Sequence, residues 1–392
     1  MRPRVAGRRS DMPDRSIRVA LIAGGMYEGL YGRIPEFERT HRVRVEVAFT
    51  GTHPELNAHL AGLSQVPYDL ISTHTKYAPS QQHFLAPLDG FDTVDFFPTL
   101  LDLATIGDAL YGIPRNIDLR LLHYRTDFLE SAPATWDELV SVARRLTSPP
   151  EQYGFVFTGM ESGLFGTFFE LAECAGARIF PPSLVPDLNN DAGRWALGVL
   201  RDLYASRAVP QEITGWHYDE VHRFFRDGYA AMTTDWPGYY GSYCEDGSRV
   251  KGRFSVARMP AGPSGRVCCY AGSHTFALTR SGQDKPFARE LLKSLTAPEQ
   301  QRLEARQGSV PVRRTVMEEQ RRDATGDRAD RLSLLNASIE HDLIVPPKLP
   351  SYPRIEEILW RNVRSAFTGE TEATEALIEM ENRISECVAA RA

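Results

Sequence analysis

The chain has 392 residues, 42% of them hydrophobic, which is enough apolar material for the cores of two or three domains. Its 45 Lys and Arg stand against 51 Asp and Glu, and the formal net charge of −6 excludes a general attraction to nucleic acid or to an anionic membrane surface, leaving a small neutral partner as the better fit. Apolar runs such as 19–23 and 119–122 fall far short of the roughly 20 residues a membrane helix needs, so the sequence reads as a soluble globular protein.

Residues 1–16 (MRPRVAGRRSDMPDRS) are basic and polar, with no apolar stretch, and do not read as a secretory signal peptide. Either export is directed by something missing from this sequence, its start is wrongly assigned, or the protein stays inside. From 16 to 23 a β-branched strand is expected. Gly24 and Gly25 break it, and helical spacing returns over 27–40 through Leu30, Ile34 and Phe37. Residues 42–49 (RVRVEVAF) alternate as a strand does, 54–63 read as a helix, and 68–72 (YDLIS) as a short strand. The β-α-β order favours a parallel sheet with crossover helices.

The stretch 107–124 combines a turn, a proline and a long apolar strand. At 135–146 (TWDELVSVARRL) Thr135 is placed to cap a helix with Glu138 three residues on, a capping box. A second α/β series follows: strand 154–157, helices 164–174, 191–204 and 219–227, then strand 230–233. Strands at 254–259, 267–270 and 274–279 lead to helix 286–295, and 355–390 is amphipathic helix interrupted at Gly369. The charge-rich stretch 313–331 reads as a solvated face. The five cysteines, Cys174, Cys244, Cys268, Cys269 and Cys387, lack paired zinc or redox spacing and read as small buried residues; one disulfide stays open to them in an oxidising compartment, with the vicinal pair Cys268-Cys269 a poor candidate for bonding to itself.

Several phrases in fixed order resemble the extracellular solute-binding proteins of sugar ABC importers. They are 108–114 (DALYGIP), 122–127 (LHYRTD), 133–139 (PATWDEL) and 225–232 (FRDGYAAM), the last with Tyr229 where the family usually has lysine. Met259-Pro260 ahead of Ala271-Gly272-Ser273, 287–300 (FARELLKSLTAPEQ), and 366–370 with 375–377 complete the set. The resemblance implies a periplasmic-binding-protein-like fold: two α/β lobes joined by crossover hinge segments, with the ligand in the cleft between them. Carried onto this chain, the first lobe is 17–118 with 273–309 and the second is 122–270 with 312–392, with hinges at 118–122, 270–273 and 309–312. It further implies capture without catalysis, no cofactor or metal, permease subunits of an ABC transporter as partners, a monomer, and a periplasmic or otherwise extracytoplasmic site of action.

A sugar presents an apolar face and a rim of hydroxyls, so its site needs an aromatic platform among polar partners. Trp236 follows the strand at 230–233, where the resemblance places a stacking aromatic. Tyr239 and Tyr240 stand beside it, and Asp235 is placed either to accept hydroxyls or to cap a helix. Asp118 matches a hinge position that the family often uses for a polar contact, flanked by Arg115 and Asn116; Ser273 and His274 occupy the second hinge. Loop ends add Met26, Tyr27 and Glu28, then Thr52 and His53, Thr73 and His74, Glu161, and finally Tyr352 and Arg354. With Arg115 or Arg354 facing the cleft, an acidic or sulfonated sugar is a plausible ligand.

Other classes have weaker signals. An intracellular α/β enzyme with a nucleotide or sugar substrate is the alternative function, and Gly25, Gly29 and Gly32 after the first strand, with Glu46, invite a dinucleotide site. They lack the G-x-G step, and Tyr27 and Tyr31 crowd the approach. His217 and His222 are five apart rather than the four of a zinc-binding H-E-x-x-H helix, and no G-x-S-x-G elbow is present.

Overall fold

The computed structural model describes residues 15–390; nearly all of the basic stretch weighed above as a signal peptide lies outside the described residues, as does the side chain of Met26. Two α/β lobes are built on separate sheets. The first sheet has five strands in the order Arg44–Gly51, Ser16–Ile22, Leu70–His74, His274–Leu278, Ile113–Pro114. Its first three are parallel, and His274–Leu278 runs antiparallel to both of its neighbours. The second sheet has four strands in the order Phe254–Ala257, Leu121–Arg125, Ala230–Asp235, Tyr153–Val156. Between them, Asp118–Leu119 pairs with Cys269–Gly272, which also pairs with Leu343–Ile344.

The pattern of the sequence explains the local elements. Thr135 Oγ1 accepts from the Glu138 amide at 3.2 Å, as its spacing predicts, while the Glu138 carboxylate turns to the Ala134 amide at 2.7 Å. Gly369 takes φ 85° and closes the helix Tyr352–Thr368 before Ala373–Ala389 begins, because only glycine enters the left-handed region without cost. The helix expected at 27–40 is instead two, Gly25–Tyr31 and Ile34–His41. Pro35 sits in the first turn of the second, where its missing N–H costs nothing. Glu161–Ala175 is apolar nearly all round and is correspondingly buried, packed against Tyr352–Thr368 and Asp191–Ala205.

Two expectations need correction. The stretch 312–323, placed with the second lobe, packs on the first. Phe97 N donates to Val312 O at 3.1 Å, Arg313 pairs with Asp95 at 3.4 Å, and Arg302 with Glu319 at 2.7 Å. The charge-rich run 313–331 is not wholly solvated either, since Arg331 is buried and donates to the carbonyls of Pro237, at 3.1 Å, and Gly308, at 2.6 Å. A guanidinium buried this way caps backbone acceptors that the close approach of two loops would leave unpaired. All five cysteines are free; four are buried and Cys244 is exposed.

Candidate functional site

One end of the first-lobe sheet brings three imidazoles together, at the carboxyl end of Leu70–His74 and the amino end of the antiparallel His274–Leu278. Antiparallel pairing sets His74 opposite His274, and His53 opens the helix His53–Ala61 beside them. Ring centroids lie 5.0 Å apart for His53 and His274, 5.1 Å for His74 and His274, and 5.5 Å for His53 and His74. The Lys76 backbone N–H donates to His74 Nδ1 at 3.2 Å, and Asn57 Nδ2 donates to His53 Nδ1 at 3.1 Å. Burial, then the neighbouring His274 and Lys76, hold both His53 and His74 well below the ordinary imidazole pKa. Gly272 permits the packing: a Cβ there would lie 2.2 Å from His74 Cε1.

Asp118 completes this wall. Its Oδ1 accepts from Asn116 Nδ2 at 2.6 Å. His274 Nε2 lies 3.0 Å from its Oδ2 but out of line for a hydrogen bond, so that buried oxygen has none. Tyr27 sets its ring edge against His274, centroids 5.8 Å apart, and the Arg115 guanidinium lies 4.3 Å from the Tyr27 ring centre while pairing with Glu304.

The second lobe supplies the aromatic wall. Trp236 follows the strand Ala230–Asp235 and is partly buried, its ring 5.9 Å from Tyr218 and 6.0 Å from Tyr270 in edge contacts. The Arg120 guanidinium stands 5.8 Å from its ring, held from behind by Glu170 and by Thr167 at 2.9 Å. Glu161, the first residue of its helix, has φ 49°, a left-handed conformation costly for a non-glycine residue and found preferentially at functional sites. Its Oε2 is buried without a hydrogen bond, 3.9 Å from His217 Nδ1, and burial raises its carboxyl pKa.

Lys76 crosses from one wall to the other. Its ammonium reaches Ser162, Tyr270 at 2.9 Å and Glu356 at 2.7 Å, all on the second lobe. Burial alone would depress its pKa, but Glu356 and the surrounding tyrosines carry it well above the ordinary lysine value. Tyr77 and Tyr352 both donate to Glu356, the latter at 2.8 Å.

Of the candidates read from the sequence, His53, His74, His274, Asp118, Tyr27 and Arg115 converge on one side, and Trp236 and Glu161 stand on the other wall. Several others are spent on structure. Thr52 caps the helix His53–Ala61 and is exposed. Thr73 donates to Gln81 at 2.6 Å, Ser273 to the Asn116 carbonyl at 2.6 Å, and Asn116 holds Asp118 and the His274 amide. Asp235 is buried with both oxygens engaged, Oδ1 by the Trp236 amide at 2.8 Å and Oδ2 by the Tyr243 hydroxyl with His222 at 3.4 Å. Tyr239 stacks on His222 and donates to Asp219 at 2.8 Å, and Tyr352 is buried against Glu356. Glu28 and Arg354 are exposed.

Arg354 is exposed on its helix, and Arg115 pairs with Glu304. Sequence reading missed Lys76, Tyr77 and Glu356. Lys76 follows two residues after His74, and Glu356 stands four after Tyr352 on the same helical face, so each lay next to a chosen candidate.

Among the described residues no helix is long and apolar enough to cross a membrane. Over 225 residues the chain is 29% identical to a protein of Deinococcus radiodurans described as a probable ABC transporter-binding protein, covering 54% of this chain and 53% of that one. Over 187 residues it is 27% identical to the mannitol-binding protein of Pseudomonas aeruginosa, covering 43% of this chain and 41% of that one. It therefore spans about half the length of these curated relatives. The fold matches maltose-bound MalE3 of T. maritima at TM-score 0.85 and 24% identity, covering 94% of this chain and 99% of that one. It matches an ABC transporter solute-binding protein of Agrobacterium radiobacter in complex with ribitol at TM-score 0.83 and 21% identity, covering 95% and 98%. Residues 23–302, well over half of the sequence, match the family of bacterial extracellular solute-binding proteins, and the chain belongs to that family.

Proposed function

We propose that the protein captures a carbohydrate or polyol outside the cytoplasmic membrane and delivers it to the permease of an ABC importer. The observation that carries this reading is the pairing of unlike walls: the partly buried Trp236 on one lobe, and His53, His74, His274 and Asp118 on the other. A sugar or polyol has the matching character, carbon-bound hydrogens for the ring face and hydroxyls for the polar groups. The names of the relatives, a mannitol-binding protein and an ABC transporter-binding protein, and the maltose and ribitol bound in similar folds support the ligand class and the partner.

In this reading the lobes are 17–118 with 273–309 and 122–270 with the C-terminal helices, the stretch 312–323 moving to the first lobe. Asp118–Leu119 and Cys269–Gly272, which pair between the two large sheets, serve as hinge strands. The protein works as a monomer in the periplasm or an equivalent extracytoplasmic space, and closure around the ligand presents both lobes to the permease. A thermal-shift screen over sugars, polyols and glycosides tests the reading. A ligand at a hundredfold excess over its dissociation constant adds about 2.7 kcal/mol of stability, a clear rise in melting temperature. No shift with any member of the screen overturns it.

A further inference from the structure

Three imidazoles and a carboxylate this close invite a metal ion, since one ligand atom each from His74, Asp118 and His274 fall within 4.8 Å of one another. Hydrogen-bond polarity argues otherwise. A metal-bound imidazole coordinates through one nitrogen and donates an N–H from the other. Here the Lys76 backbone N–H, which can only donate, points at His74 Nδ1. That nitrogen carries the lone pair, so the ring proton sits on Nε2, where it would oppose a cation.

His53 is set the same way through a relay: Thr73 donates to Gln81, Gln81 Nε2 to Asn57 Oδ1 at 3.1 Å, and Asn57 Nδ2 to His53 Nδ1. Its Nε2–H is buried and makes no hydrogen bond. The one hydrogen bond seen on the His74 ring is at Nδ1, and Asp118 Oδ2 is a buried acceptor with none. Buried polar groups left without partners require an explanation, and here a buried donor, His53 Nε2, and a buried acceptor, Asp118 Oδ2, stand beside the His74 ring, whose centroid lies 5.5 Å from that of His53 and one of whose nitrogens lies within 4.8 Å of an Asp118 carboxylate oxygen.

Resting on the carbohydrate reading above, we propose that His53, His74 and Asp118 form a subsite for a single ligand hydroxyl, the two imidazoles donating from Nε2 and Asp118 Oδ2 accepting the ligand's O–H. A hydroxyl has two lone pairs and one proton, which is the complement of two donors and one acceptor. An ammonium has no lone pair to accept from the imidazoles. A carboxylate has no proton for Asp118 and meets its charge. The subsite therefore selects an uncharged hydroxyl at this point of the ligand, and His53 and His74 are specificity-determining residues.

The test is calorimetric titration with a panel of D-mannitol, ribitol and maltose as neutral probes, D-gluconate and D-glucosamine as charged ones, and cobalt(II) followed by its visible absorption. A neutral probe is expected to bind tightest. His74→Leu and His53→Leu each weaken it about tenfold or more, the scale of a lost hydrogen bond with a buried partner left unmet, while His74→Gln, which keeps an N–H near the Nε2 position, stays within about threefold. Circular dichroism of each variant, and the half-buried position of His53, separate loss of binding from loss of fold. Gluconate or glucosamine binding in place of every neutral probe, with an affinity that His53→Leu and His74→Leu leave unchanged, leaves the carbohydrate reading standing and overturns the subsite. So do folded Leu variants with unchanged affinity, or stoichiometric cobalt binding that His74→Leu abolishes. Failure of the whole panel to bind overturns the carbohydrate reading and the subsite with it.

Discussion

Lys76 Nζ and Glu356 Oε1 lie 2.7 Å apart across the junction of the two lobes, 280 residues apart in the chain, with both side chains almost wholly buried. A buried pair of this kind contributes little over an apolar substitute, but removing one member strands the other charge, at a cost of about 3–5 kcal/mol. Glu356 can escape that cost by opening to water. Lys76→Met is therefore expected to shift the unliganded protein toward an open form, read as a larger radius of gyration in small-angle scattering. Lys76→Met with Glu356→Leu together should return most of the closed population. An unchanged radius in the single variant would show that the pair does not hold the lobes together.

Trp236 is only partly buried, and its ring contacts, Tyr218 and Tyr270, are edge-on. Trp236→Ala is expected to weaken ligand binding by about 2–4 kcal/mol, the range of an aromatic hot spot, with the fold retained. Calorimetric titration with the best ligand of the screen decides it. Unchanged affinity would move the stacking platform to another aromatic residue such as Tyr27.

Asp235, although adjacent to Trp236, should behave differently. Its carboxylate is spent on the Trp236 amide, the Tyr243 hydroxyl and His222, all within the second lobe. Asp235→Ala leaves buried donors unmet and is expected to lower unfolding free energy by about 2–4 kcal/mol. Urea denaturation measures this directly, and a variant as stable as the parent would return Asp235 to the list of ligand contacts.

His123 sits fully buried among Phe225, Tyr243 and Phe254, and burial lowers its pKa to about 4 from 6.5. Its folded pKa lies below its unfolded one, so the unfolded chain binds the extra proton first. The stability His123 contributes is thus fully present above pH 6.5 and is lost as pH falls toward 4, by about 3 kcal/mol in all. His123→Phe should flatten that part of the melting temperature against pH profile, and a slope identical to the parent's would assign the acid sensitivity elsewhere.

Gly272→Ala tests the seat of His74. The added Cβ would sit 2.2 Å from His74 Cε1 and must push the ring aside. A loss of affinity of about tenfold, comparable to His74→Leu, is expected by titration. Retained affinity would mean that the ring position is not what the ligand reads.

The sequence by itself determined what neighbouring residues can determine. Alternation and helical spacing placed most strands and helices to within a few residues, Thr135 announced its helix and Gly369 the break before the last one. Ordered family phrases then implied the two-lobe fold. Ends of strands pointed to His53, His74, Asp118 and His274, which the fold brings near one another at one end of the first-lobe sheet.

Only the tertiary structure decided which of the polar candidates are already paired within the protein. Thr73, Asn116, Ser273 and Asp235 are as polar as the others, yet each is paired with a group that the fold brings to it. Lys76 and Glu356, the burial of Arg331, and the docking of 312–323 on the first lobe all depend on contacts between distant segments. Periodicity records which face of an element is buried, not against what, and a buried charge is set by the partner that folding delivers to it.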